Sequence, residues 1–248
     1  MLLPKINSKF ILPLFIVFSN FWIYKIFTQN VPVGAILAIT SLVILIKPGS
    51  KLIILGLFIL LFLQTQTTST KNLVLLDNDE QRVQSERIRS YPLIYIDLGI
   101  KVIWLKPEIW IEQNSFIIAL SRLEENLYSN LDINKYFFGG FPRNKPEDFE
   151  KFPFAYLPVF IPGIFILVKK KLFKELVYFL VMPLLFLAYL GSDNKLGPFI
   201  LFPFFTLTFL KGITFLETLL KNKRLFYAIM VVSVMLTLIL QINYSAAN

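Results

Sequence analysis

The chain has 248 residues, of which 56% are hydrophobic, and it carries 25 Lys and Arg against 16 Asp and Glu, a net charge of +9. It contains no His and no Cys, which excludes disulfides and any mechanism that needs a histidine base or ligand. Catalysis would have to use carboxylates, Lys, Tyr, backbone dipoles or a hard metal ion. The basic residues cluster at the ends of apolar runs, where topology signals lie, which argues against nucleic-acid binding.

Seven apolar segments predict membrane-spanning helices, because a helix needs about 20 apolar residues to cross the hydrocarbon of a bilayer. In chain order they are Phe10–Phe27, Val31–Ile46, Leu52–Gln64, Phe154–Val168, Leu176–Leu190, Pro198–Ile213 and Leu225–Ile242. The sequence therefore predicts an all-α polytopic membrane protein with about seven transmembrane helices.

A long polar stretch separates the third apolar segment from the fourth. Residues 64–153 hold 13 of the 16 carboxylates, the remaining three being Glu175, Asp193 and Glu217, and 11 of the 25 basic residues. The sequence thus predicts a three-span membrane block over residues 1–64, a loop or subdomain over 65–153, and a four-span block over 154–248. We expect the groups that could bind a ligand to lie mostly in the loop.

Basic residues in the short connections predict the orientation, because Lys and Arg are enriched on the cytoplasmic side. They form four clusters, within residues 5–9, 47–51, 169–174 and 221–224. With seven crossings all four clusters fall on one side of the cytoplasmic membrane. The N-terminus is then predicted inside, and the C-terminus and the long loop outside.

The pattern within this extracytoplasmic loop is mixed and partly helical. Glu80–Arg89 predicts a short charged helix, and Leu93–Ile96 predicts a strand or an interfacial segment. Residues 113–131 have apolar side chains at helical spacing, which predicts an amphipathic helix. A helix lying on the membrane surface and a helix packed on a folded loop subdomain both fit this pattern, and the alternative stays open.

One acidic run in the loop offers closely spaced oxygen ligands. Asp77 and Asp79 belong to the sequence Asp77-Asn78-Asp79-Glu80, and Mg, Ca and Mn ions prefer such ligands. Because short acidic runs are also common in solvated loops, a divalent metal has weak support and no resident metal or other cofactor is predicted.

Three basic residues stand next to apolar segments on the predicted outer side. Arg143 and Lys145 precede the fourth segment, and Lys195 lies in the short turn before the sixth. Cations at head-group height suit a lipid phosphate. An ordinary polar loop would also contain them, so both interpretations stay open.

Three weak motifs follow one another between Leu120 and Ile213. The first is Asn126–Asp132 followed by the aromatic run Tyr136–Gly140, the second runs from Leu157-Pro158 through Gly163-Ile164 to a basic turn, and the third joins Pro183-Leu184 through a polar turn to Lys195 and Phe202–Ile213. This series resembles the C-terminal membrane region of bacterial integral-membrane glycosyltransferases, those similar to protein O-mannosyltransferases and to the aminoarabinose transferase. The family often has an Arg where this chain has Lys195.

The resemblance implies a protein that handles a polyprenyl-phosphate-linked sugar. In an active enzyme a carboxylate deprotonates the acceptor and cations stabilise the departing phosphate. Asp77 and Asp79 are then the candidate catalytic residues, and Arg143, Lys145 and Lys195 the candidate lipid-phosphate-binding residues.

Two departures from the family shape this expectation. The family carries its catalytic carboxylate in the first outer loop, which here is Thr28-Gln29-Asn30, and it usually has an outer His, which this chain lacks. We therefore expect a partial or diverged member, such as a split C-terminal part, with a non-catalytic membrane scaffold or partner subunit as the alternative. The expected partners are membrane lipids, a polyprenyl-phosphate sugar and a catalytic partner chain, and no nucleic acid.

Overall fold

The protein is represented by a computed structural model that is mainly helical. It describes residues 8–68, 73–92, 94–97, 102–105, 107–139, 149–170, 172–191, 194–220 and 222–247. Four helices precede the polar stretch: α1 (Ser8–Phe18), α2 (Phe21–Gln29), α3 (Val31–Ile46) and α4 (Leu52–Thr67).

The polar stretch contains short helices and one antiparallel hairpin. Ile94 of the first strand lies opposite Leu105 of the second, so the strand expected near Leu93–Ile96 is present. The elements in chain order are α5 (Asn78–Ser90), β1 (Ile94–Asp97), β2 (Val102–Leu105), α6 (Pro107–Glu112), α7 (Ser115–Leu131) and α8 (Asn134–Phe137). Helices α5 and α7 confirm the charged helix and the amphipathic helix predicted from the sequence.

Apolar helices make up the C-terminal part. A 3-10 turn, Phe154–Tyr156, leads into α9, a π-helical turn, Val177–Val181, joins α10 to α11, and a second 3-10 turn, Phe199–Leu201, leads into α12. The helices are α9 (Leu157–Lys169), α10 (Phe173–Leu176), α11 (Met182–Leu190), α12 (Phe202–Leu219) and α13 (Lys223–Ala247).

Three helical segments of the described residues are long and apolar enough to cross a membrane. They are Phe173–Leu190, Phe199–Leu219 and Lys223–Leu240, and the pair α1 and α2 is a fourth if it counts as one bent span. Helices α3 and α4 and the segment Phe154–Lys169 are apolar but shorter. These segments coincide with the seven predicted from the sequence, and the number of crossings stays a prediction.

The first predicted segment, Phe10–Phe27, is not one straight helix, because its axis turns by 67° between α1 and α2. The buried Asn20 stands at the break. Its Oδ1 accepts a hydrogen bond from Ile23 N (2.9 Å), and its Nδ2 donates to Val17 O (2.8 Å). One side chain thus satisfies backbone groups at both helix ends, which otherwise lack partners.

Helices α9 and α12 cross at very close range. A Cβ atom on Gly163 of α9 would overlap the carbonyl oxygen of Thr208, and one on Gly212 of α12 would overlap that of Val159. Small residues at a crossing allow two helix backbones to approach each other, which is the usual packing between helices in membranes.

The end of the polar stretch belongs to the same core as the C-terminal helices. Ring centroids lie 4.4 Å apart for Tyr136 and Phe205, 5.0 Å for Phe152 and Phe209, and 6.2 Å for Phe137 and Phe209. Such tilted and edge-on aromatic pairs stabilise a core beyond their buried area. The predicted three-part division at residues 64 and 153 stays a prediction.

Candidate functional site

The turn before α12 is held in place by side chains from other helices. Asn194 Oδ1 accepts from Leu196 N (2.8 Å), and Asn194 Nδ2 donates to the hydroxyls of Thr67 and Thr68 at the end of α4 (3.0 Å each). Trp22 Nε1 of α2 donates to Leu196 O (2.7 Å). The backbone of this turn is therefore fixed on both α2 and α4.

Gln64 of α4 joins the same turn to the start of α12. Its Nε2 donates to Gly197 O (3.3 Å) and to the Thr68 hydroxyl (3.2 Å), and its Oε1 accepts from Ile200 N (3.3 Å). The side chain is fully buried. A buried amide is stable only when its polar atoms have partners, and here those partners are the backbone groups of the turn.

Lys195 is exposed to solvent in the middle of this fixed turn. Its neighbours Asn194 and Leu196 both make the hydrogen bonds described above, and Gly197 has a φ of 73°, a conformation that favours glycine. The structure thus presents the ammonium of Lys195 from a rigid backbone. Its role in binding a lipid phosphate stays a prediction.

A second lysine, Lys151, lies beside this turn among aromatic rings. Its side chain is only 6% exposed, and its Nζ donates to Lys135 O (2.9 Å). The Nζ atom lies 5.7 Å from the ring centroid of Trp22, 5.5 Å from that of Tyr136 and 5.2 Å from that of Phe149. Such cation–π contacts stabilise an ammonium that has left bulk water.

Lys25 of α2 contacts the same group of rings. Its Nζ lies 3.8 Å from the ring centroid of Phe149. We call Trp22, Lys25, Tyr136, Phe149 and Lys151 the lysine–aromatic cluster. The sequence predicts neither Lys25 nor Lys151 as a site residue, because nothing in the sequence links residues so far apart.

Tyr136 serves the cluster as a neutral hydrogen-bond donor. Its hydroxyl donates to Asn130 O (2.7 Å). Burial raises the pKa of Tyr136 well above the usual tyrosine range, and the nearby carboxylate of Asp132 adds to this effect. The phenol therefore stays protonated at physiological pH and is unsuited to act as a base.

The acidic run predicted as a ligand set forms the N-terminus of α5. Asp77 Oδ1 accepts from Glu80 N (2.9 Å), and Glu80 Oε2 accepts from Asp77 N (2.8 Å), which is a capping box. Glu80 also pairs with Arg122 of α7. Asp79 is exposed in the first turn, where its negative charge interacts favourably with the helix dipole. Within the described side chains no three His, Cys, Asp or Glu residues form a metal-binding group.

The capping role of Asp77 has a measurable consequence. Asp77→Ala is expected to destabilise α5 by about 1 kcal/mol, because the N-terminal amide loses its acceptor. Hydrogen exchange measured by mass spectrometry should then speed up in peptides covering Asn78–Ser90. Asp79→Glu is the matched control, because it keeps the negative charge in the first turn at an exposed position and removes no cap. Equal exchange in the two variants would contradict the capping role.

The other predicted basic residues, Arg143 and Lys145, lie outside the described residues. The described residues on either side of them are in contact, since a Cβ on Gly139 would lie 2.9 Å from Glu150 N.

Comparison of the chain with protein-family models, curated proteins and solved structures gives no match. The similarity to bacterial membrane glycosyltransferases therefore stays a prediction.

Proposed function

We propose that this chain is an integral protein of the cytoplasmic membrane that binds the phosphate of a lipid beside the lysine–aromatic cluster. The observation that carries this proposal is the exposed Lys195 on a hydrogen-bonded turn, whose Gly197 lies against the side chain of Lys151. A polyprenyl-phosphate-linked sugar is the ligand class that the resemblance implies. Sugar transfer by this chain is the more specific form of the proposal.

The chemistry of the cluster favours a phosphate ligand. Lysine ammonium groups bind phosphate as point charges, and hydrogen bonds between charged groups are the strong ones. Because the backbone around Lys195 is already fixed, little conformational entropy is lost when the ligand binds.

The length of α4 is consistent with the predicted orientation. Helix α4 begins next to the basic turn Lys47–Lys51, and its other end contacts the turn before α12 through Gln64 and Thr67. Its 16 residues span about 24 Å, so in the proposed membrane location its two ends would lie near opposite faces of the bilayer. If the basic turn faces the cytoplasm, the cluster faces outward.

The proposal predicts a loss of affinity when the exposed Lys195 or the half-buried Lys25 loses its charge. Lys195→Gln is expected to weaken binding of a polyprenyl monophosphate about tenfold, which corresponds to about 1.4 kcal/mol, and Lys25→Gln is expected to weaken it further. The measurement is a titration of the full chain in lipid nanodiscs. Lys51→Gln is the matched control, because Lys51 is an exposed lysine in the turn at the other end of α4.

The titration needs a second ligand to identify the recognised group. A polyprenol of the same length without phosphate should bind much more weakly than the monophosphate. Equal binding of the two ligands, or equal affinity of the Lys195→Gln and Lys51→Gln variants, would contradict phosphate recognition.

The second candidate is a non-catalytic scaffold or partner subunit. It is favoured by the position of the two predicted catalytic acids, because Asp77 caps α5 and Asp79 is exposed beside it. Glycosyl transfer needs a carboxylate at the acceptor. Turnover of a lipid-linked sugar donor by the purified chain would rule out this candidate, whereas binding without turnover would support it.

A further inference from the structure

The surface of α6 and α7 has large apolar side chains that no described residue covers. Trp110 is 84% exposed and Phe116 is 72% exposed, and Ile111 and Leu120 are also exposed. We call these four residues the α6–α7 edge. Soluble proteins rarely expose so much apolar surface together, and such a patch marks an interaction site.

The orientation of α7 about its own axis is fixed by polar contacts on its other sides. Arg122 Nη1 donates to Leu75 O (2.9 Å) ahead of α5, and Asn126 Nδ2 donates to Ala188 O of α11 (2.9 Å). Phe116 and Leu120 are one turn apart and share a face. They therefore cannot turn inward without breaking these hydrogen bonds.

The charged surface of α7 is separate from the α6–α7 edge. Ser121, Glu124 and Glu125 are exposed, and at about 100° per residue the strip of Phe116 and Leu120 lies between them and the face that packs on α11. A helix with a packed face, an apolar strip and a charged face is suited to the boundary between lipid and water.

The neighbouring helix indicates which partner the strip meets. Ala188 lies near the end of Phe173–Leu190, a segment long and apolar enough to cross a membrane. That segment exposes its own apolar side chains, among them Leu185 and Tyr189. Helix α7 thus packs against the end of an apolar segment, and the end of a membrane span is where head groups begin and where Trp is enriched.

We propose that the α6–α7 edge is inserted into the lipid bilayer at the boundary between the head groups and the acyl chains. Helix α7 then lies half in lipid, with Ser121 and Glu125 in water and Phe116 and Leu120 among the acyl chains. This inference rests on the proposed membrane location. It decides between the two placements of the amphipathic helix that the sequence leaves open.

Spin labelling tests the proposal directly, because the chain has no Cys and single cysteines can be introduced. Phe116→Cys and Leu120→Cys are labelled in the full chain, reconstituted into phosphatidylcholine vesicles, with Ser121→Cys and Glu125→Cys as matched controls on the same helix. Collision rates with oxygen, which concentrates in lipid, and with a water-soluble nickel chelate are then measured. The oxygen-to-nickel ratio should be several-fold higher at the first two positions.

Each other outcome overturns the proposal. Equally low ratios at all four positions would place the edge in water, and equally high ratios would place the charged face in lipid as well. Exclusion of both reagents would show that protein covers it, and dipolar broadening between labels would identify that protein as a second copy of the chain. A label at Ile229, which is exposed on α13, distinguishes a failure of this inference from a failure of the proposed membrane location. If Ile229 is in lipid and Phe116 in water, only this inference fails, whereas Ile229 in water would contradict the membrane location itself.

Discussion

Gly163→Ala and Gly212→Ala are each expected to lower the midpoint of thermal unfolding by about 2–12 °C. An added methyl group would overlap a backbone carbonyl oxygen of the facing helix, and backbone cannot move aside as a flexible side chain can. The helices must separate, and overpacking of this kind costs about 1–3 kcal/mol, or about 2–4 °C per kcal/mol for a chain of this size. Circular dichroism of the purified protein in one detergent measures the midpoint.

Gly49→Ala is the matched control for both substitutions, because a Cβ atom on Gly49 meets no other atom within 4 Å. Its midpoint should stay close to that of the native protein. The double variant Gly163→Ala with Gly212→Ala should lose less than the sum of the two single losses, because both contacts are at one crossing. If the three single variants unfold at the same temperature, the close approach of α9 and α12 is wrong.

Gln64→Ala is expected to cost about 1–3 kcal/mol, because it leaves the buried Ile200 N without its side-chain partner, whereas Gly197 O still accepts from Phe199 N (2.9 Å). An unsatisfied buried polar group costs about 1–3 kcal/mol. The unfolding midpoint measures this loss. The same variant should weaken polyprenyl-phosphate binding although Lys195 is intact, because the turn that presents Lys195 loses one of its anchors.

The control for this variant is Gln66→Ala on the same helix, because Gln66 is exposed. It should change neither stability nor binding. A Gln64→Ala protein that unfolds like the control would show that the buried amide does not stabilise the turn. Normal stability with weakened binding would instead assign Gln64 to the ligand.

The apolar segments could be predicted from the sequence because lipid and protein core both select hydrophobic side chains over a helix length. Their boundaries were less predictable. The sixth segment was predicted to end at Ile213, yet α12 continues to Leu219. Glu217, near this helix end, accepts a hydrogen bond from Lys223 Nζ (3.3 Å).

The break at Asn20 and the lysine–aromatic cluster could not be predicted, the first because it depends on the side-chain hydrogen bonds of one residue and the second because it depends on distant contacts. In the sequence, Asn20 is one polar residue in an apolar run. Only the hydrogen bonds of its side chain in the structure show that two helices meet there. In the sequence, Lys151 is one charged residue of the polar stretch, and only the folded structure brings it beside Trp22. Lys195 could be selected as a candidate binding residue from the sequence, because a charged turn between two apolar segments is a local pattern.

The bend between α1 and α2 also bears on the order in which the protein is made. Ser19 bonds to Tyr156, 137 residues further along the chain, and Trp22 Nε1 donates to Leu196 O, 174 residues further along. When the first apolar segment leaves the ribosome, neither partner has been synthesised. In the proposed membrane location, the segment would therefore insert before these two contacts exist, and they form only after the turn before α12 has been translated.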